Sequence, residues 1–324
     1  MTHYTAGCVL LLTAGCASSA SMMRVSVPLA DLRAQPQTTA QAGVHDPQEE
    51  TQLLYGERVR VIKRLKGWAR VEALEQPEFT HARRWQGYPG WIPDSILVPW
   101  DQLMAPTVMV TAAWAQAWHD PYLTRPTPWR FGFGTRLRAT DIAGERWKVE
   151  LHNDDTVWLR FQDARSLEAL AALSPLERRQ TLIRSAELLV GHPYYWGGRS
   201  PAWGLTPKGS DPAVTGVDCS SLVNLAYRSA GVEIPRDAHE QFLRAKRVTT
   251  LQPGDLVFLS ERSDPKRIVH VMLYAGEGDV IEGPGTGLRV RRIALAQRLG
   301  QPVDRLMSGD VIDGQTVFFG SYLP

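Results

Sequence analysis

The residue of this chain best equipped for covalent chemistry is a cysteine at the head of an apolar stripe. Gly216-Val217-Asp218-Cys219-Ser220-Ser221-Leu222-Val223 leads into Leu222, Val223, Ala226 and Ala230, spaced three and four apart as on one helix face. Gly231 stops the helix as a C-cap glycine, and Asp218 stands where an N-cap belongs. Cys219 therefore falls in the first turn, where unpaired amides and the helix dipole favour the thiolate, the reactive form. On this octapeptide alone an inert core thiol is an equal reading, because free cysteine is often buried. A sulfur nucleophile attacking an amide also needs an imidazole to protonate the leaving amine. His270 lies 51 positions on, in the alternating strand Ile268-Val269-His270-Val271-Met272-Leu273-Tyr274. His239, just past Pro235-Arg236-Asp237, is its competitor. A base on a strand suits a site assembled in space rather than in sequence.

The elements around these residues run helix first, then strands. Ser174-Pro175 starts a helix, with Pro at N1 after a Ser cap. Leu176, Leu182, Ile183, Ala186, Leu189 and Val190 supply its stripe, and Gly191 ends it. An aromatic turn, Pro193-Tyr194-Tyr195-Trp196-Gly197-Gly198, and a polar loop over 201–215 lead into the cysteine helix. Leu251 to Phe258, the His270 strand and Val280-Ile281-Glu282 then read as antiparallel strands, which argues an α+β fold.

The front half reads as a repeated β module. Tyr55-Gly56-Glu57-Arg58-Val59-Arg60 matches Phe133-Gly134-Thr135-Arg136-Leu137-Arg138. Gly67-Trp68-Ala69-Arg70-Val71 matches Arg146-Trp147-Lys148-Val149, and Gly90-Trp91-Ile92 matches Val157-Trp158-Leu159. Two copies of one small β-barrel account for this, and their Gly-Trp elements resemble bacterial SH3-type domains. The division is a leader over 1–22, barrels over 23–100 and 101–168, and an α+β unit over 169–324. Polar insertions at 36–50 and 76–87 read as solvent-facing loops on one barrel edge.

Lys plus Arg number 36 against 34 Asp plus Glu, so the net charge of +2 carries no nucleic-acid footprint. The three cysteines, Cys8, Cys16 and Cys219, form no C-x-x-C pair, which speaks against a thiolate zinc site. Val9 to Leu12 followed by Thr13-Ala14-Gly15-Cys16 resembles a bacterial lipoprotein cleavage site, after which Cys16 would carry lipid. The start lacks the basic residues of a secretory leader, and Thr13 stands where Leu is usual.

Five motifs occur in one order over about 170–324: Pro193-Tyr194-x-Trp196-Gly197-Gly198, Asp218-Cys219-Ser220-Ser221-Leu222, Pro235-Arg236-Asp237, Gln252-Pro253-Gly254-Asp255-Leu256 and His270-Val271. Together they resemble the NlpC-type papain-like cysteine peptidases of bacterial cell walls. With the SH3-type half in front, the layout is similar to the γ-D-glutamyl-L-diamino-acid endopeptidases of that family. The resemblance makes His270 the base and places a third group, usually His, twelve positions on. Here that position is Glu282. A hairpin folding about Gly276 sets His270 and Glu282 directly opposite on one face, where the carboxylate would hold the imidazole and raise its pKa. Tyr194 corresponds to the family tyrosine whose hydroxyl, with the Cys219 amide, would bind the oxyanion.

The resemblance also implies that the first barrel walls one end of the cleft and selects peptides with a free N-terminal L-Ala. An ammonium needs oxygen acceptors, and Asp218, Tyr88 and Glu57 are the candidates. Thr135 stands where Glu57 does in the second copy. Ser220 and Arg236 are candidates for the γ-D-Glu carboxylate, and Asp237 joins the substrate-binding set. The implied activity is hydrolysis of the γ-D-Glu to diamino-acid bond in murein tri- and tetrapeptides, with no metal or cofactor. The rivals are hydrolysis of intact crosslinked peptidoglycan, acyl transfer on lipids by the same dyad, and a cell-wall-binding scaffold with an idle Cys219. The expected place is the cell envelope, as a periplasmic lipoprotein touching the membrane only through its lipid, with the cytoplasm as the alternative. Cys16→Ser is expected to leave the protein in the soluble fraction on cell fractionation, and unchanged membrane partition of that variant would rule the anchor out.

Overall fold

The computed structural model of the chain describes residues 21–38, 46–202 and 215–324. Cys16 and nearly all of the leader lie outside the described residues, as do parts of the 36–50 and 201–215 stretches. Ser21 and Met22 already belong to the first strand, two residues earlier than the leader boundary expected above.

Among the described residues the chain forms three seven-stranded sheets. Counting strands in chain order within each, the first sheet (between Ser21 and Pro99) runs 3-2-6-5-4-1-7 in space. The second (between Val108 and Ser166) runs 3-2-6-5-4-1-7 as well. The repeat read from the sequence is thus a repeat of topology. Gly56 and Gly134, which occupy matching positions in the two copies, both take positive φ (78° and 85°), where a side chain would strain the turn. Each sheet folds round its own apolar cluster, Leu32, Val59, Val71 and Ile92 in the first and Val110, Phe131, Val149 and Leu159 in the second.

The third sheet holds the strand carrying His270. Its neighbours across the sheet run Lys246–Arg247, Gln315–Ser321, Leu256–Ser260, Ile268–Gly276, Asp279–Glu282 and Arg291–Ala294. Alternation sorts its side chains to two cores. Phe258, Val271, Leu273 and Ile281 face the helices Pro175–Glu187 and Cys219–Ser229. Val257, Met272, Val280 and Phe319 face the short helix Leu295–Leu299. The first of these helices starts on the expected Ser174 cap, in a capping box with Glu177. Leu182, Ala186 and Leu189 are buried, but Leu176 and Val190 of the expected stripe point outward. Among the described residues no helix is long and apolar enough to cross a membrane.

Every residue of the helix Cys219–Ser229 is buried, its polar face included. That face meets the two front sheets through buried ions. Arg199 donates to both oxygens of Glu57 (2.7 and 2.9 Å) and to Asn224 Oδ1 (3.0 Å). Arg228 donates to Glu75 (2.8 Å) of the first sheet and to the Gly134 carbonyl (3.0 Å) of the second. Glu57 is only 3% exposed, also takes a hydrogen bond from Gln76, and so seals an interface. This corrects the reading of Glu57 as an acid lining the cleft. The 76–87 stretch is likewise no mere surface loop, since Gln76 and Glu78 are buried within the strand Trp68–Glu78. Removing one member of a buried ion pair strands the other. Glu57→Gln is therefore expected to lower stability by about 3–5 kcal/mol, read from the chemical denaturation midpoint, and a wild-type midpoint would contradict this.

Candidate active site

The nucleophile helix begins as its sequence dictates. Asp218 caps it, accepting the Ser221 amide (2.7 Å), and the Ser221 hydroxyl accepts the Asp218 amide (3.0 Å). The carboxylate does more than cap. It also takes the Ser220 hydroxyl (3.1 Å), the Gly197 amide (3.1 Å) and two nitrogens of Arg236 (3.0 and 2.7 Å). Arg236 is fully buried and reaches on to Thr51 Oγ1 (2.7 Å) in the first sheet. Its Nη1 also donates to Ser220 Oγ (2.9 Å). Asp218, Ser220 and Arg236 are thus a sealed hub that fixes the helix start against the first sheet. Arg236 has no face turned to a ligand, which corrects its expected part as a fork for a substrate carboxylate.

Cys219 is a free thiol, 8% exposed. Burial and then the Asp218 carboxylate push it up to about 12, against a hydrogen bond from the Val271 backbone and the charge of Arg236. The resting sulfur is therefore a thiol, whereas the helix terminus alone suggested a thiolate. The Val271 contact sets the sulfur beside the residue that follows His270.

The strand geometry explains how the sulfur reaches that point. The pairing Leu273↔Ile281 is the last in the ladder between the His270 strand and the Glu282 strand. Gly283, just beyond, leaves room for the helix start: a Cβ there would lie 3.3 Å from the Tyr194 ring and 3.4 Å from the Cys219 nitrogen. A register shift between Tyr274 and Gly276 moves the hairpin, so that extending the Leu273↔Ile281 register by one residue sets Glu282 level with Met272 rather than His270. His270 and Glu282 are diagonal neighbours on one face rather than directly opposed, and long side chains bridge that distance. His270 Nε2 lies 2.8 Å from Glu282 Oε2.

Glu282 is fully buried and saturated. Arg291, directly opposite it on the next strand, donates twice to Oε1 (2.7 and 3.0 Å), and Arg298 Nε donates to Oε2 (3.1 Å). Burial alone would raise its carboxyl. The His270 hydrogen bond and charge, with Arg291 and Arg298, outweigh burial and hold it at about 2. His239 packs on the same strand two residues before His270, its Nδ1 accepting the Ile268 amide (3.3 Å).

Tyr194 is half-buried and bridges to Val217, so its ring stands by the start of the nucleophile helix. Burial, Asp218 and Cys219 raise its hydroxyl well above the usual tyrosine range, so it stays a donor. Tyr88, from the first sheet, donates to Asp237 Oδ2 (2.9 Å). Asp237 is partly exposed; burial, Glu240 and Asp218 raise its carboxyl against Arg236. Two residues near this contact are not singled out by the sequence. His81 lies edge-on to the Tyr88 ring at 5.3 Å, with Nδ1 3.1 Å from Glu78 and Nε2 3.6 Å from Glu50. The carboxylates of Glu50 and Glu78 raise His81 to about 9 despite partial burial. Both belong to the insertions taken for surface loops. Among the described residues no group of three or more His, Cys, Asp or Glu could hold a metal ion.

A cysteine held against a strand, a histidine of that strand paired with a carboxylate and a tyrosine at the helix start are the side chains a cysteine peptidase would use. Residues 191–303 match the NlpC/P60 family. The chain is 29% identical over 252 residues to a γ-D-glutamyl-L-lysine dipeptidyl-peptidase of Bacillus cereus, covering 76% of this chain and 70% of that protein. It is 26% identical over 262 residues to the Bacillus subtilis protein of the same name, covering 77% of each. The crystal structure of an NlpC/P60 family protein from Bacillus cereus shares the fold, with a TM-score of 0.71 at 24% identity over 94% of this chain and 100% of that one. The chain thus carries an NlpC/P60 domain and is homologous to these Bacillus peptidases.

The depressed Glu282 carboxyl has a linkage consequence. A carboxyl held lower in the folded than in the unfolded state contributes stability above its unfolded value, near 4.5, and that contribution is lost as pH falls toward 2. The stability gap between wild type and Glu282→Gln is therefore expected to be widest above about pH 5 and to close toward pH 2. Urea denaturation at several pH values reads it directly, and a gap that does not change with pH would contradict the assignment.

Proposed function

We propose that this protein hydrolyses the amide bond between γ-D-Glu and the diamino acid of murein stem peptides bearing a free N-terminal L-Ala. In this reading His270 takes the Cys219 proton as the sulfur attacks, because the resting thiol is neutral. The Cys219 amide and the Tyr194 hydroxyl stabilise the oxyanion. His270 then protonates the leaving amine, and water cleaves the thioester to a carboxylic acid and a free thiol. Glu282, pinned by two arginines, orients the imidazole.

The observation that supports the substrate reading is the hydrogen bond from Tyr88 of the first sheet to Asp237; in this reading the first sheet closes one end of the cleft. Tyr88 and Asp237, with Glu50 behind His81, present oxygens to an ammonium there, in place of the buried Glu57. The names of the two Bacillus relatives support the same bond. We read the two front sheets as SH3-type barrels, the first serving as this wall, and the span from about 169 as the catalytic unit.

The test is mass spectrometry of products from L-Ala-γ-D-Glu-diamino-acid peptide, its N-acetylated form and whole sacculi. The free peptide is expected to be cut at the γ-D-Glu bond by wild type and not by Cys219→Ala. Tyr88→Phe is expected to raise KM about tenfold for the free peptide, since a hydrogen bond to a charged group is worth roughly 1.5–3 kcal/mol. Equal cleavage of the acetylated peptide, or release of stem fragments from intact sacculi, would favour the crosslinked-wall reading instead.

A further inference from the structure

At the far end of the nucleophile helix, the two front sheets and Arg228 enclose a cavity of about 220 Å³. Five arginines and three glutamates line it. The carboxylates are already taken: Glu57 by Arg199 (2.7 Å), Glu75 by Arg228 (2.8 Å) and Glu150 by Arg138 (3.0 Å). Arg24 is left over. It is 7% exposed, its Nε is sealed from solvent without an acceptor, and among the described residues its guanidinium has no hydrogen bond or ion pair.

The neighbour of Arg24 makes matters worse. Arg58 stands directly opposite it across the antiparallel ladder, so both side chains leave the same face of the sheet. Like charges in that position repel. The ion pair of Arg58 with Glu75 spans 3.6 Å, and Glu75 is shared with Arg228. Arg136, reaching in from the second sheet, also has a buried Nε with no acceptor. A buried guanidinium lacking a counter-ion costs several kcal/mol. The cavity beside it has room for that counter-ion.

We propose that this cavity is a binding site for an oxyanion, a phosphoryl or carboxylate group held between Arg24 and Arg58. The guanidinium fork matches both groups. Trp100, under Arg58 at 5.4 Å, closes one side. Arg228 follows Cys219 by nine helical positions, roughly 13 Å along the axis, so the anion does not reach the nucleophile. Its effect is to tie the first sheet, which walls the cleft, to the second.

The experiment is thermal unfolding and calorimetric titration of the full chain with sodium phosphate and with sodium acetate, each at ionic strength held constant with sodium chloride. A saturable rise in midpoint of roughly 2 °C or more with phosphate identifies a phosphoryl site, and the same with acetate a carboxylate site. Arg24→Met is expected to abolish the rise. Phosphate also stabilises proteins by exclusion from their surface, but that effect neither saturates nor depends on Arg24. Should Arg24→Met fail to fold, Arg58→Gln at the more exposed rim is expected to weaken half-saturation about tenfold. No rise over chloride, or a rise that survives in either variant unchanged, overturns the proposal.

Discussion

The buried guanidinium of Arg236 is the interaction on which the rest of the structure depends. A guanidinium removed from water is tolerated only with its hydrogen bonds filled at good geometry. Arg236 fills them with Asp218, Ser220 and Thr51, which are the cap of the nucleophile helix, its first turn and the first sheet. One side chain thus ties the start of the Cys219 helix to the first sheet. Arg199 and Arg228 repeat the device further along, through Glu57, Glu75 and the Gly134 carbonyl. A helix buried on every side could not be held this way by apolar packing alone, because half of its surface is polar.

The same enclosure sets the electrostatics of the site. Sealing the helix start removes water from Cys219 and places the Asp218 charge close by, so the thiol stays protonated at rest. The carboxylate that holds His270 is treated in the opposite way. His270, Arg291 and Arg298 together outweigh the burial of Glu282 and hold its carboxyl at about 2, so it is ionised near neutrality. Such an arrangement keeps charge separation low until a substrate arrives. In the proposed reaction the proton moves from sulfur to ring only as the new bond forms, and the carboxylate serves to direct the ring.

What was legible in the sequence was local. Asp218, Ser174 and Gly231 announce helix ends through hydrogen bonds and φ angles decided within a few residues. The doubled Gly56 and Gly134 turns are legible for the same reason. What was hidden depended on distant partners. Glu57 looks like a solvated acid until Arg199, 142 positions on, neutralises it. Arg236 looks like a free fork until Thr51 and Asp218 fill it. His81 and Glu50 sit in stretches whose polarity reads as surface, and only the contact of Tyr88 in the first sheet with Asp237 brings them near the helix that follows Arg236. The hairpin register was displaced by an irregularity at Tyr274 that no composition signals.

On the proposed function, Cys219, His270 and the first sheet form one cleft that takes a peptide amine-first. A crystal structure of the Cys219→Ala variant with the tripeptide L-Ala-γ-D-Glu-diamino acid tests it most directly. The account predicts the ammonium against Tyr88 and Asp237, with the γ-D-Glu carbonyl carbon about 3–3.5 Å from where the sulfur would stand. A peptide bound away from His270, or with its amino group turned to solvent, would contradict it.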